Sequence, residues 1–116
     1  DFQDAAAGPL SYDFVSLVWD RYIHWPRERL EQWMDQFRRL VGPDIDAEQW
    51  IRWCDLMGLQ RNLKIVGRFA ILEQVEGKPA YVQMIPAFYR YLLDVLPRYP
   101  EFSEVADWMG KPECAP

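Results

Sequence analysis

The first residues of the chain are acidic and aromatic, a combination that can hold a divalent cation. Asp1 precedes Phe2, and Asp4 adds a second oxygen donor nearby. A carboxylate before an aromatic residue at the end of a strand can hold Mg²⁺ against nucleotide phosphates. Asp1 is therefore the candidate metal ligand, whereas Asp4 is more readily interpreted as a loop-capping carboxylate. One carboxylate alone holds Mg²⁺ poorly, so we expect no tight binding of Mg²⁺ by this chain.

A second polar group lies in the middle of the chain. Gln60, Arg61 and Lys64 follow Gly58, a residue that permits close approach to the backbone. Arg61 and Lys64 are three residues apart, so a helix places them on one face. Such a pair is suited to a carboxylate- or phosphate-bearing ligand. The alternative is that both cations are solvated or paired with acidic neighbours.

The single histidine is a weaker candidate for chemistry. His24 precedes Trp25-Pro26 at a predicted junction between two helices. It has no second ligand at a metal-binding spacing and no paired nucleophile. We therefore interpret it as a surface or junction residue.

Composition limits the classes of partner. The chain has 116 residues, half of them apolar, which is enough for one domain with a core. Its net charge of −5 argues against general binding to nucleic acid or to an anionic membrane surface. Two cysteines, Cys54 and Cys114, do not indicate a disulfide framework, and free thiols favour a cytoplasmic location.

Apolar periodicity predicts an all-α protein with five or six helices. Residues 1–9 are expected to be extended and loop-like, residues 10–109 to form one helical body, and residues 110–116 to form a tail. Asp46 is a predicted N-cap, Gly58 a predicted break or bend, Gly77 a helix end, and Pro86 the site of a kink or late start. The predicted helices run over about 11–25, 26–41, 47–57, 59–75, 79–96 and 102–109.

Four short motifs in order resemble one family. They occupy residues 1–5, 8–17, 25–29 and 57–64, with the sequences DFQDA, GPLSYDFVSL, WPRER and MGLQRNLK. Together they resemble the aminoglycoside phosphotransferase and choline kinase-like family. Within it they are most similar to the bacterial branch that contains the anomeric N-acetylmuramate/N-acetylglucosamine kinases. The resemblance extends from Asp1 to about Pro100.

The resemblance implies the helical C-terminal subdomain of a protein-kinase-like fold, without the nucleotide-binding N-lobe. It implies phosphoryl transfer from ATP or GTP, with Mg²⁺, to a hydroxyl of a sugar or aminoglycoside. Asp1 would bind the metal in the complete enzyme, and residues 1–9 would be the remnant of that metal loop. The catalytic base would belong to a preceding loop, so none is assigned here. We expect this chain alone to be inactive, because phosphoryl transfer depends on positioning and charge stabilisation.

The resemblance also implies roles near the first helix. Asp20, Arg21, Tyr22 and Trp25 would border the acceptor cleft together with Gln60, Arg61 and Lys64, and Asp13 would brace the catalytic loop. The alternative for Asp20 and Arg21 is a salt-bridged helix end, with Tyr22 and Trp25 in the core.

A non-catalytic hypothesis remains beside the kinase hypothesis. Eighteen aromatic residues of the Trp, Tyr and Phe types are many for this length. Some of them would be left exposed if the chain normally packs against further polypeptide. The chain would then be a small helical interaction module. Its partner would be the missing N-terminal part of a kinase, another protein or a second copy.

Overall fold

Five α-helices contain most of residues 7–114 and 116, the part of the chain that the computed structural model describes. Short 3₁₀ turns flank the last two helices, and the described residues contain no strand. The predicted all-α class is therefore confirmed. Asp1 and Asp4 lie outside the described residues. The helices are α1 (Ser11–Val18), α2 (Arg27–Val41), α3 (Ala47–Glu76), α4 (Ile85–Val95) and α5 (Ser103–Met109).

Helix α1 is shorter than predicted, because it ends at Val18 and does not continue to Pro26. The next residue, Trp19, leaves helical geometry and buries its ring in the core. The Asp20 carboxylate then accepts a hydrogen bond from the Tyr22 backbone N–H at 3.0 Å. A local side-chain bond of this kind competes with helix formation. Residues 19–26 consequently form an irregular loop between α1 and α2.

The break predicted at Gly58 is wrong, because α3 runs without interruption for 30 residues. Gly58 is buried against the indole of Trp19, and a Cβ there would lie 2.4 Å from the Trp19 ring atoms Cη2 and Cζ3. The glycine therefore provides space for close packing between α1 and α3. This packing explains why a glycine is present in the helix, although glycine makes a helix about 1 kcal/mol less stable than alanine does.

The predicted ends of α3 are confirmed. The Asp46 carboxylate accepts a hydrogen bond from the Gln49 backbone N–H at 3.1 Å, which caps the start. Gly77 ends the helix with φ of +63°, a conformation that favours glycine. Its N–H donates to the Glu73 carbonyl, and the Lys78 N–H donates to the Leu72 carbonyl, both at 3.1 Å.

The late start predicted near Pro86 is also confirmed. A 3₁₀ turn covers Pro79–Met84, and α4 begins only at Ile85. Pro86 thus lies in the first turn of α4, where its missing N–H breaks no helical hydrogen bond.

The core is formed where α1, α2 and α4 pack on α3. Trp19 stacks on Tyr91 with ring centroids 5.2 Å apart, and the Trp50 indole donates to the Met34 carbonyl at 2.8 Å. Burial raises the pKa of the Cys54 thiol to about 12, and both cysteines are free. No described helix combines the length and the apolar composition needed to cross a bilayer.

A buried polar cluster joins α2, α3 and the segment after α4. The Arg27 guanidinium donates two hydrogen bonds, of 2.7 and 2.8 Å, to the fully buried Asp55 carboxylate. The Tyr99 hydroxyl donates to the same carboxylate at 2.5 Å. Burial lowers the pKa of Arg27, but the hydrogen bonds and charge of Asp55 outweigh it and raise the pKa above its ordinary value. Burial and Asp55 raise the pKa of Tyr99. These partners are distant in sequence and were not predicted.

Candidate functional site

Two adjoining cavities lie along the middle of α3, and Arg61 lines both of them. The first, named here the basic cavity, has a volume of about 270 Å³ and lies between α3 and the start of α1. It brings the predicted Gln60, Arg61 and Lys64 into one site. Its complete lining is Tyr12, Gln60, Arg61, Lys64, Ile65, Arg68 and Phe69.

The second cavity, named here the loop cavity, has a volume of about 370 Å³. It lies between the α1–α2 loop, α3 and α4. The predicted Asp20 and Arg21 meet Arg61 in it. Its lining is Ser16, Trp19, Asp20, Arg21, Tyr22, Arg61, Ile65, Phe69 and Phe88.

Hydrogen bonding within the loop fixes the polar groups of the loop cavity. The Tyr22 backbone N–H already uses one carboxylate oxygen of Asp20, which holds that side chain in the loop. The Arg21 guanidinium contacts the Met84 sulfur at 2.9 Å and also donates to the Tyr22 hydroxyl. Trp19 lines the cavity, and its buried Nε1–H has no hydrogen-bond partner among the described residues. A buried donor without a partner is uncommon in folded proteins.

Arg61 is positioned by the contact between α3 and α4. Its guanidinium donates to the Asn62 side-chain oxygen at 3.3 Å. Asn62 is fully buried, and its amide donates to the Phe88 carbonyl in α4 at 3.1 Å. Within residues 7–114 and 116, no carboxylate lies within ion-pair distance of Arg61 or Lys64, whereas Arg68 lies 3.7 Å from Glu76. Neither Arg61 nor Lys64 is thus paired with an acidic neighbour among the described residues, and Lys64 is exposed to solvent, as the alternative for it expects.

Trp25 lines neither of these two cavities. It lines a groove of about 620 Å³ between α1 and α2, named here the apolar groove. Trp25 packs edge-on against Trp33, with ring centroids 4.9 Å apart. Asp20 borders both the groove and the loop cavity. The groove is lined by Asp13, Phe14, Leu17, Val18, Asp20, Trp25, Trp33, Gln36, Phe37 and Leu40.

Asp13 lies in the first turn of α1, exposed, with its backbone carbonyl accepting from the Ser16 hydroxyl at 2.9 Å. Its bracing role toward a catalytic loop stays a prediction.

His24 packs at the junction between the α1–α2 loop and α4. Its ring stacks on Tyr91 with centroids 4.5 Å apart, and its Nδ1 is buried without a partner among the described residues. Burial and the nearby Arg90 lower its pKa, with Asp94 opposing them. The neutral ring is thus favoured, as expected for a packed junction residue.

The described residues do not fit a magnesium site. Across residues 7–114 and 116, no three His, Cys, Asp or Glu side chains are grouped as a metal would require. The candidate ligand Asp1 lies outside this range. The two cavities therefore offer hydrogen bonding and positive charge to a polar ligand, without a paired nucleophile and base.

Several lining residues are not predicted from the sequence, among them Tyr12, Trp19 and Arg68. Apolar periodicity does not distinguish Trp19 from the core aromatics, and no motif assigns Tyr12 a contact with a ligand. Arg68 follows Lys64 by four residues and Arg61 by seven, so its helical spacing could have placed it on the same face.

The amino-acid sequence is similar to bacterial kinases. It is 38% identical to the N-acetylmuramate/N-acetylglucosamine kinase of Pseudomonas putida, over 96% of this chain and 34% of that kinase. Kinases of the same name from Pseudomonas aeruginosa and Neisseria meningitidis serogroup B are 37% and 41% identical. Those two alignments cover 95% and 89% of this chain, and 34% and 32% of the relatives.

The chain thus spans about a third of the length of the curated relatives it matches. The relatives carry the name of the branch that the sequence motifs indicate. No protein-family model matches the chain, and no solved structure matches it.

Proposed function

We propose that this chain is the acceptor-binding, C-terminal helical part of an ATP- or GTP-dependent kinase that phosphorylates an amino sugar. The kinase would belong to the aminoglycoside phosphotransferase and choline kinase-like family. The observation that carries the proposal is the similarity to N-acetylmuramate/N-acetylglucosamine kinases over nearly the whole chain. The loop cavity supports it, because polar side chains from two elements converge there on a space of ligand size.

In this proposal the described residues bind and orient the acceptor. The Asp20 carboxylate can accept a hydrogen bond from a sugar hydroxyl, and the Trp19 side chain forms part of the cavity wall. Arg21 and Arg61 add donors along the same cavity. Orientation of this kind matters in phosphoryl transfer, where catalysis consists mostly of positioning and electrostatic stabilisation. Mg²⁺ and the nucleotide would supply the phosphoryl group and its charge neutralisation. Asp1 is the proposed metal ligand in the complete enzyme.

The test is phosphorylation by the complete polypeptide that carries this sequence. It would be assayed with ATP and GTP against N-acetylmuramate, N-acetylglucosamine, kanamycin and choline, beside the 116-residue chain. We expect turnover of an amino sugar by the complete polypeptide and none by the chain alone. Turnover of no acceptor by a folded complete polypeptide would remove the kinase proposal.

A second candidate is a helical interaction module. The observation that favours it is the apolar groove, whose rim residues Leu17 and Leu40 are 76% and 82% exposed. Apolar surface of this kind is typical of sites that contact other polypeptides. Light scattering separates the candidates: a well-packed dimer without kinase activity in the complete polypeptide favours the module.

A further inference from the structure

Three cations follow one face of α3 along the basic cavity. Arg61, Lys64 and Arg68 are separated by three and four residues, the spacing that aligns side chains on a helix. All three line the same cavity, and the Tyr12 side chain faces them from α1. The cavity thus concentrates positive charge in a chain whose net charge is −5.

Of these three cations, Arg61 is the one that lines both cavities. It is half-buried, and no carboxylate among the described residues lies within ion-pair distance of it. A partly desolvated guanidinium without a counter-charge is unfavourable, so an anion placed beside it gains more than it would at an exposed cation. The guanidinium fork also suits a carboxylate, to which it can donate two parallel hydrogen bonds.

The position of Arg61 sets the geometry of a ligand that would use both cavities. The basic cavity and the loop cavity share Arg61, Ile65 and Phe69 as their common wall. A ligand with a neutral polar ring in the loop cavity would therefore extend an attached group past Arg61 toward Lys64. Ile65 and Phe69 give that path an apolar wall, and a less polar surrounding strengthens a charge-assisted hydrogen bond.

We infer that the basic cavity binds the carboxylate of an acidic amino sugar whose ring occupies the loop cavity. This inference rests on the proposed function and specifies its acceptor class. N-acetylmuramate carries such a carboxylate on an ether substituent of the ring, whereas N-acetylglucosamine has a hydroxyl at that position. Arg61 and Lys64 are then specificity residues that favour the acidic acceptor over the neutral one.

The same cations would also suit a nucleotide phosphate, so the test must separate the two anions. The complete polypeptide is assayed as wild type, as Arg61→Gln, as Lys64→Gln and as the double variant. Steady-state kinetics are measured for N-acetylmuramate, for its neutral carboxamide, for N-acetylglucosamine and for ATP. Lys111→Gln is the control, because it removes an exposed positive charge near the C-terminus, away from both cavities.

The double variant should lower the ratio of kcat/KM for N-acetylmuramate to that for its carboxamide by about tenfold or more, chiefly through KM. The ratio to N-acetylglucosamine should fall in parallel, while Lys111→Gln leaves both ratios unchanged. Equal losses for the acidic and neutral acceptors would overturn the inference. A rise in the KM of ATP with unchanged acceptor ratios would assign the cations to the nucleotide and overturn it as well.

Failure of the proposed function is distinguishable from failure of this inference. If the complete polypeptide phosphorylates neither sugar, the kinase proposal fails, and equilibrium binding of N-acetylmuramate and its carboxamide decides the inference. A preference for the acid that disappears in the double variant supports it. Equal affinity for the acid and the carboxamide in the wild type contradicts it. Circular dichroism of each variant verifies that the helices remain folded.

Discussion

At the scale of single residues, Gly58 decides how closely α1 packs on α3. Its backbone faces the Trp19 ring at a distance that leaves no room for a Cβ. Trp19 in turn stacks on Tyr91 and lines the loop cavity. A substitution at Gly58 therefore affects the candidate site by displacing Trp19.

Gly58→Ala should lower the free energy of unfolding by about 1–3 kcal/mol, because the new methyl group overpacks the Trp19 contact. The matched control is Gly67→Ala in the same helix, where no atom lies within 4 Å of a new Cβ. That control should raise the free energy of unfolding by roughly 0.5–1 kcal/mol, since alanine is the better helix former. Urea unfolding followed by circular dichroism measures both. Shifts of the same sign would contradict the proposed close contact.

The buried Asp55 carboxylate gives a second prediction. Asp55→Ala should lower the free energy of unfolding by about 2–4 kcal/mol, because the Arg27 guanidinium loses both hydrogen bonds to Asp55 and keeps only the partly exposed Glu31 carboxylate as its counter-charge. Glu101→Ala is the control, since it removes a carboxylate from an exposed pair with Arg52. We expect a much smaller loss for it. Similar thermal unfolding midpoints for the two variants would show that the buried cluster contributes little.

At the scale of helices, the sequence predicts best the features that depend on neighbouring residues. The Asp46 cap, the glycine end at Gly77 and the late start near Pro86 all follow from local backbone chemistry. The continuity of α3 through Gly58 could not be predicted, because it depends on a tryptophan 39 positions earlier that fills the space of a side chain.

The candidate site likewise combines features that the sequence predicts with features that depend on the fold. Helical spacing placed Arg61 and Lys64 together without knowledge of the fold. Trp25 lines the apolar groove and not the loop cavity, and this placement depends on the end of α1 at Val18, where Trp19 turns into the core. The contribution of Trp19 to the loop cavity depends on the same turn, and apolar periodicity does not predict that turn.

The capped start of α3 gives a prediction at this scale. Asp46→Ala should lower the free energy of unfolding by about 1 kcal/mol, because the Gln49 N–H loses its acceptor. Asp46→Asn should retain most of the stability, since asparagine is an equally good N-cap. Hydrogen exchange of the first-turn amides of α3 would locate the effect. An Asn variant as unstable as the Ala variant would indicate that charge, and not capping, is the main contribution.

At the scale of the whole molecule, the apolar groove is one apolar surface that the fold leaves uncovered. The helices α1 and α2 bury Phe14, Leu30 and Met34 between them and α3, yet leave Leu17 and Leu40 at the groove rim largely exposed. The curated relatives are about three times as long as this chain, so further polypeptide of that length is available in them to cover such a surface. In a solution of the isolated chain, the available partner is a second copy of the same chain.

We therefore expect the 116-residue chain to self-associate through the apolar groove as its concentration rises. Leu17→Glu should weaken this association and lower the binding of an apolar dye, because it places a charge on the groove rim. Val75→Glu is the matched control: Val75 is also 76% exposed, but it lies at the far end of α3, outside the groove. Sedimentation velocity over a range of concentrations measures the assembly. Equal effects of the two variants would place the contact elsewhere, and a strict monomer at every concentration would refute self-association, leaving the groove free in the isolated chain.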